Sequence, residues 1–449
     1  MSLADDLRAS LGDGSVLTGE AIGARHLSDQ SDTGAALPAI LVRPRTTAEV
    51  SAALRICHGA GAAVVPQGGM TGLAGGANCA GGEVAISLEL LRGIEEIDVP
   101  AAAMTVKAGT PLEICQQAAA EAGLYLALDL GARGTCQVGC NLSTNAGGNR
   151  VIRYGMARDQ VLGLEAVLAD GTVITALNKM MKNNAGYDLK QIFIGSEGTL
   201  GIITRAVLRL HPPPGAVTTT LAALPSYGAV VALLRLAQAK LGGIVAFEAL
   251  WRDYHRFSAS ALGLAPFAED HPFWVIAESA AGAGAAEEFF TAAIEEGLIS
   301  DAIIAQSERE ARDFWRVRDG ISIGELPNII NLDVSLPIAA IGEFSQACAE
   351  AMKARWPEAH VFFYGHVCDS NLHVSTSVTY GPGEDMHSVD DVVYGILKGF
   401  AGSVSAEHGI GTLKRPYLGN SRSAAELELM RTLKRALDPK GILNPGKVI

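Results

Sequence analysis

Pro212-Pro213-Pro214-Gly215 divides this 449-residue chain. Each proline lacks a backbone N–H and has a fixed φ, so neither a helix nor a central strand crosses that point. The texture differs on the two sides. Upstream, Leu3, Leu7 and Leu11 at one-turn spacing predict a short helix closed by Gly12. A strand over 39–42 follows, and Thr46-x-x-Glu49 reads as a capping box for a helix through Ile56. Further strands are expected at 64–66, 84–88 and 104–108, a helix over 111–122, and a hairpin over 161–176 turning at Asp170-Gly171. Downstream, strands near 217–223, 243–250, 273–279, 302–305 and 329–336 alternate with helices near 228–240, 285–296, 308–323 and 341–354. Segments 361–366 and 372–378 read as two more strands. That pattern is an α+β fold around an antiparallel sheet. The expected organisation is 1–213, 214–400 and a mostly helical segment over 401–449.

Composition narrows the class. Hydrophobic residues make up 49% and charged residues 18%, which excludes intrinsic disorder. No run of roughly 18 apolar residues is present to span a bilayer. The start, Met1-Ser2-Leu3-Ala4-Asp5-Asp6, is acidic where a signal peptide is basic and then apolar, so a cytoplasmic protein is expected. A net charge of −13 argues against nucleic-acid binding. The seven cysteines are odd in number and contain no CxxC pair, as in a reducing compartment.

Glycine is abundant, and it clusters. Pro66-Gln67-Gly68-Gly69-Met70-Thr71-Gly72-Leu73-Ala74-Gly75-Gly76 leaves an apolar strand, where glycine lets the backbone approach a ligand and line up N–H groups around an anion. Gly139–Gly148 and Gly195–Thr204 are two more such stretches. Glycines also simply make turns, but three loops flanked by buried strands in one half favour a ligand. No GxxxxGK[ST] and no GxGxxG occurs, so neither a P-loop nor the doubly wound dinucleotide fingerprint is present.

Segments 66–76, 128–148 and 183–204 resemble the FAD-binding half of the vanillyl-alcohol-oxidase-type flavoproteins. Leu128-Asp129-Leu130-Gly131-Ala132 and Gly186-Tyr187-Asp188-Leu189-Lys190-Gln191 are most similar to D-2-hydroxyglutarate dehydrogenases, with D-lactate dehydrogenases and the flavin subunit of glycolate oxidase further off. The resemblance implies a two-subdomain FAD-binding domain, an α+β substrate domain and a C-terminal segment returning to the flavin. It implies FAD contacts from Pro66, Gly68, Gly69, Thr71, Gly72, Gly75, Gly76, Asn141, Thr144, Asn145, Gly147, Gly148, Glu197, Gly201, Ile203 and Asn444. Met70 stands where the family usually has Asn, and Cys140 where it has Gly. No histidine lies in the first loop, so the flavin is expected to be non-covalent.

Gly365-His366-Val367-Cys368-Asp369-Ser370-Asn371-Leu372-His373 carries the sharpest chemical signal. The turn residues 369–371 would fold it into a hairpin on which both histidines converge. Ser405-Ala406-Glu407-His408-Gly409-Ile410-Gly411 adds a carboxylate and a third imidazole. Two His and a Glu form a common divalent-metal set that leaves positions for substrate. The bland alternative is a few hydrogen-bonded buried histidines. Resemblance to the motifs GHxxDxNLH and SAEHGxG implies His366, His373 and Glu407 as metal ligands, with Zn²⁺ favoured, and His408 as catalytic base. It also makes Arg318, on the predicted helix, the clamp for a substrate carboxylate, with Ser322 assisting.

Asn331 replaces a common family Lys and Ser375 a common Asn, which weakens the expected grip on a second carboxylate. The implied activity is therefore oxidation of a D-2-hydroxy acid of the D-2-hydroxyglutarate, D-lactate or D-malate type by hydride transfer to flavin N5. A soluble acceptor such as an electron-transfer flavoprotein would reoxidise the flavin, and a homodimer is an admissible assembly. The competing readings are a metal-dependent hydrolase of a phosphorylated or nucleotide substrate, and a non-catalytic nucleotide-binding or electron-relay protein.

Overall fold

The computed structural model describes residues 2–31, 33, 36–264, 267 and 269–449. The chain forms two compact units: Met1–Gly148 with Tyr154–Pro213 and Glu407–Ile449, and Asn149–Arg153 with Pro214–Ala406. Among the described residues no helix is long and apolar enough to cross a membrane.

The first unit holds two sheets. Strands β1 (Val16–Thr18), β2 (Ile40–Val42), β3 (Val64–Gln67) and β4 (Val84–Ser87) run in the order β1-β2-β4-β3, with β4 parallel to both β2 and β3. Parallel strands are covered on both faces, and every residue of β2 and β4 is accordingly buried. Strands β5 (Ile94–Asp98), β6 (Ala103–Lys107), β7 (Val161–Val167), β8 (Val173–Ala176) and β9 (Ile202–Arg209) form an antiparallel sheet ordered β5-β6-β9-β7-β8. One apolar cluster, including Val42, Leu54, Ile86, Met104, Val106, Ile203 and Leu443, joins the two. The helix Thr47–Ala60 is capped by Thr46 Oγ1, which accepts the Glu49 N–H at 3.2 Å. The box does not close on Thr46, because the Glu49 carboxylate accepts the Arg45 N–H instead, at 2.7 Å. At the C-terminus the chain returns along β3. The Val64 N–H donates to Ile442 O and the Asn444 N–H to Val64 O, each at 2.7 Å.

The second unit is built on seven antiparallel strands: β10 (Thr218–Leu224), β11 (Ile244–Trp251), β12 (Phe273–Ser279), β13 (Asp301–Ile304), β14 (Ile329–Ser335), β15 (His360–Gly365) and β16 (Asn371–Ser377). Their order is β13-β10-β12-β11-β15-β16-β14. On one face, helices Arg252–Leu262 and Glu308–Asp319 cover Leu221, Leu250, Trp274, Ile276 and Phe362. The register puts Tyr364 and Asp333 opposite His373, and Phe362 and Asn331 opposite Ser375, so these polar groups share that face.

Two helices end earlier than their sequence pattern predicts. Helix 308–323 stops at Asp319, because Gly320 takes φ 57° and a Cβ there would meet the Tyr254 hydroxyl oxygen at 2.5 Å. Helix 228–240 is regular only over Tyr227–Leu236 and finishes in a π turn.

Candidate functional site

In the first unit a cleft lies between the glycine loops. Pro66, Gly68, Thr71, Gly72, Gly76, Thr144, Glu197, Ile203 and His408 line it. The other residues implied as FAD contacts shape it from behind. A Cβ at Gly69 would sit 2.1 Å from Thr135 O and one at Gly148 2.0 Å from Asp129 O, so chain packing excludes any larger residue there. Gly75 packs likewise on Thr412 and Gly201 on the Phe193 ring. Gly147 is buried in the same loop as Gly148. Asn141 Nδ2 donates to Cys136 Sγ at 3.5 Å, and Asn145 Oδ1 accepts the Arg158 N–H at 3.0 Å. Asn444 Nδ2 donates to Gly76 O at 3.0 Å and Glu197 O at 2.8 Å, tying two walls of the cleft together.

Glu197 does more than line the cleft. Its buried carboxylate accepts the N–H groups of Ile410 (2.7 Å) and Gly411 (2.8 Å), and burial raises its pKa against both bonds. This clamp fixes the turn that begins at His408. Gly411 is obligatory in it: φ is 51° and a Cβ would lie 1.9 Å from Ala74 O. Met70 also has positive φ (57°), a conformation that Asn tolerates better than Met. Burial pushes the Cys140 thiol up to about 12, so it is no thiolate.

Sequence reasoning missed Asp29, Gln67 and Gln137, which also line the cleft. Asp29 Oδ2 and Gln137 Oε1 are buried without a hydrogen-bond partner. Two orphan acceptors and a glycine-lined wall fit a ligand that combines a large apolar ring with hydroxyl or N–H donors, as FAD does.

In the second unit, β15 ends at Gly365, a short 3-10 turn covers Val367–Asp369, and β16 starts at Asn371. Ser370 holds φ 72°, a conformation that glycine adopts without strain. The turn sets the His366 and His373 rings 5.5 Å apart, with ligand nitrogens within 4.8 Å, and both are buried. Arg318, from the last turn of its helix, directs Nε to Glu248 Oε2 (2.9 Å) and Nη2 to His366 Nε2 (3.0 Å), and its guanidinium lies 5.5 Å from the Tyr364 ring centre. Glu248 also pairs with His366 Nδ1. Burial alone would raise the Glu248 pKa, but His366 and Arg318 outweigh it and bring it down to about 2. Ser322 sits past the helix end in a 3-10 turn, its hydroxyl buried.

Asp333, opposite His373, accepts the Ala406 N–H at 2.8 Å and the Ser405 hydroxyl at 3.2 Å. Glu407 follows Ala406 by one peptide bond. Ser375 Oγ donates to Asn331 Oδ1 at 2.6 Å, with the Tyr364 hydroxyl 3.4 Å away.

A glycine-walled cleft in the first unit and a buried Arg–Glu–His cluster in the second fit a flavoprotein oxidoreductase, and comparison with known proteins shows that class. The family pattern described as "FAD binding domain" matches residues 38–177, and "FAD linked oxidases, C-terminal domain" matches 213–448. D-2-hydroxyglutarate dehydrogenase of Xanthomonas citri pv. viticola is 40% identical over 423 residues, 92% of this chain and 89% of that protein. The mitochondrial D-2-hydroxyglutarate dehydrogenase of Bos taurus is 40% identical over 91% of this chain and 76% of its own. A solved p-cresol methylhydroxylase shares the fold with a TM-score of 0.76 at 16% identity, covering 99% of this chain and 96% of its own. This chain belongs to the FAD-linked oxidases. It is an FAD-dependent oxidoreductase, and the hydrolase and electron-relay readings are set aside.

Proposed function

We propose that the protein oxidises a short D-2-hydroxy acid to the 2-oxo acid, using non-covalent FAD and a divalent ion held by His366, His373 and Glu407. The observation that carries this reading is the buried cluster in which Arg318 and Glu248 surround His366, beside His373. A cation and an imidazole pair on one sheet face suit an α-hydroxy carboxylate. The names of the relatives support the substrate class. Covalent continuity supports Glu407 as the third ligand. Ala406 is bonded to Asp333, which lies opposite His373, and adjacent Cα atoms are about 3.8 Å apart. Two imidazoles and a carboxylate suit Zn²⁺.

When bound, the flavin supplies a hydride acceptor at N5, and the ion supplies Lewis acidity toward the substrate hydroxyl. His408 takes the hydroxyl proton on an imidazole nitrogen. Arg318 orients the substrate carboxylate through its planar N–H fork, and the Ser322 hydroxyl adds a donor. Gly411 and Glu197 keep the His408 turn in one conformation, which holds the base in place between turnovers.

Asn331 and Ser375 satisfy each other as neutral groups, so a second substrate carboxylate would meet no cation from this pair. This counts against D-2-hydroxyglutarate and favours D-lactate, which carries a single carboxylate; D-malate, a dicarboxylate too, stays open. We further read the protein as cytoplasmic, with a soluble acceptor such as an electron-transfer flavoprotein, and as compatible with a homodimer. In anaerobic stopped-flow mixing, short D-2-hydroxy acids are expected to bleach the flavin while their L-enantiomers do not. A panel in which no D-acid bleaches it would end the proposal.

Arg318→Lys tests the clamp. Lysine loses the two-pronged geometry and cannot hold Glu248, His366 and the substrate together. The expected result is a KM raised roughly 10- to 100-fold, the worth of one charged hydrogen bond at about 1.5–3 kcal/mol, with the flavin spectrum intact. An unchanged KM would remove Arg318 from carboxylate binding.

A further inference from the structure

Asp29 is only 6% exposed, stands in the loop before β2, and lines the glycine-walled cleft of the first unit. Its two carboxylate oxygens have different surroundings. Oδ1 is saturated: it accepts the Ser31 N–H at 3.0 Å, the Ser31 hydroxyl, and Asn78 Nδ2 at 3.1 Å. The loop itself is pinned, because the Asp29 N–H donates to Asn78 Oδ1 at 2.7 Å and the Gln30 N–H to Gly72 O at 2.9 Å. Oδ2 is buried with no hydrogen-bond partner, and a buried acceptor left unmet is costly. Lys447 is close enough to supply a countercharge, but it gives Oδ2 no hydrogen bond. Gly72 keeps that oxygen uncovered. Its φ is not positive, so no turn demands glycine there, yet a Cβ would lie 3.0 Å from Oδ2.

From this geometry we infer that Asp29 is a cofactor-binding residue, its Oδ2 accepting a hydrogen bond from a neutral hydroxyl or N–H of bound FAD. A carboxylate only accepts hydrogen bonds, so the ligand atom opposite Oδ2 is a donor. Phosphate oxygens are excluded, because two anions would meet in a buried site. The pyrophosphate therefore belongs to backbone N–H groups elsewhere on the glycine loops. Asp29 reads one of the neutral donors: a ribityl hydroxyl, a ribose hydroxyl, the adenine amine or the flavin N3–H. That bond fixes how far along the cleft the dinucleotide lies. In Asp29→Asn the amide oxygen stays with Ser31 and Asn78, whose three donors leave no place for an NH₂. The NH₂ then faces the cleft and sets a donor against a donor.

The test is FAD titration of the full-length apoprotein, followed by quenching of flavin fluorescence. Asp29→Asn is expected to raise the FAD Kd roughly 10- to 100-fold, the worth of a hydrogen bond to a charged group, with the apoprotein's melting temperature unchanged. Analogues lacking in turn each ribityl hydroxyl, each ribose hydroxyl, the adenine amine and the N3–H then locate the donor. One of them is expected to lose that factor in wild type and to lose no more in Asp29→Asn, where the bond is already gone. A wild-type FAD Kd in Asp29→Asn overturns the inference. So does a variant in which every analogue loses as much again as in wild type, because Asp29 would then act through the shape of its loop. If Asp29→Asn does not fold, Gly72→Ala decides: its Cβ covers Oδ2, so it should show the same loss and the same insensitivity to that analogue, and their absence overturns the inference. The inference rests on the non-covalent flavin proposed above. Wild type that takes up no FAD ends both, whereas failure confined to the variants ends this one alone.

Discussion

His408→Ala is expected to slow flavin reduction by roughly 10²- to 10⁴-fold, the usual contribution of a positioned general base. The substitution leaves the backbone bonds of the segment after it in place. Glu197 holds it through the N–H groups of Ile410 and Gly411, and both bonds survive truncation at 408. The side chain lines the cleft of the first unit, so its loss leaves a small gap on a cavity wall. Flavin content and melting temperature should therefore match wild type. The measurement is the single-turnover rate of anaerobic bleaching by saturating D-lactate, which isolates the chemical step from acceptor kinetics. A wild-type rate would show that another group takes the proton. Loss of the yellow colour would reassign His408 to cofactor binding.

What the sequence made legible was local. The glycine loops, the proline boundary and the His-turn-His segment each announce themselves within about ten residues, because turn and strand chemistry acts over that range. The clamp of Glu197 on residues 410 and 411 joins groups more than two hundred positions apart, and no spacing rule reaches so far. Asn444 is similar: its side chain bridges Gly76 and Glu197 only because the C-terminus lies along β3. Gln137 and Asp29 escaped notice because a polar residue in a loop is unremarkable until its oxygen proves buried and unpartnered. Glu248 did leave a signal, a single charge inside an eight-residue apolar strand. What it pairs with depended on a helix end that the pattern put four residues too late. Gly320 stops that helix, leaving Arg318 in its last turn and Ser322 outside it.

Removing the proposed ion should separate the two halves of the chemistry. Dialysis against a chelator is expected to leave the flavin spectrum intact and to slow anaerobic reduction on the order of 10³-fold, corresponding to ~4 kcal/mol of lost Lewis-acid stabilisation at 1.36 kcal/mol per decade. The flavin should remain because neither histidine is among the residues lining the first unit's cleft, and its walls are tied by protein–protein bonds at Asn444 and Glu197. The rate should fall because Arg318 can orient the carboxylate but cannot lower the pKa of the hydroxyl as a divalent ion does. Zn²⁺ added back to the stripped protein should restore reduction. His373→Ala should copy the chelator and resist the rescue, since it deletes a ligand while the β14–β16 backbone pairing around it stays in register. Full-rate bleaching by metal-free protein would leave His366 and His373 as buried hydrogen-bonding groups around Glu248 and Arg318, and His408 would then remove the proton unaided.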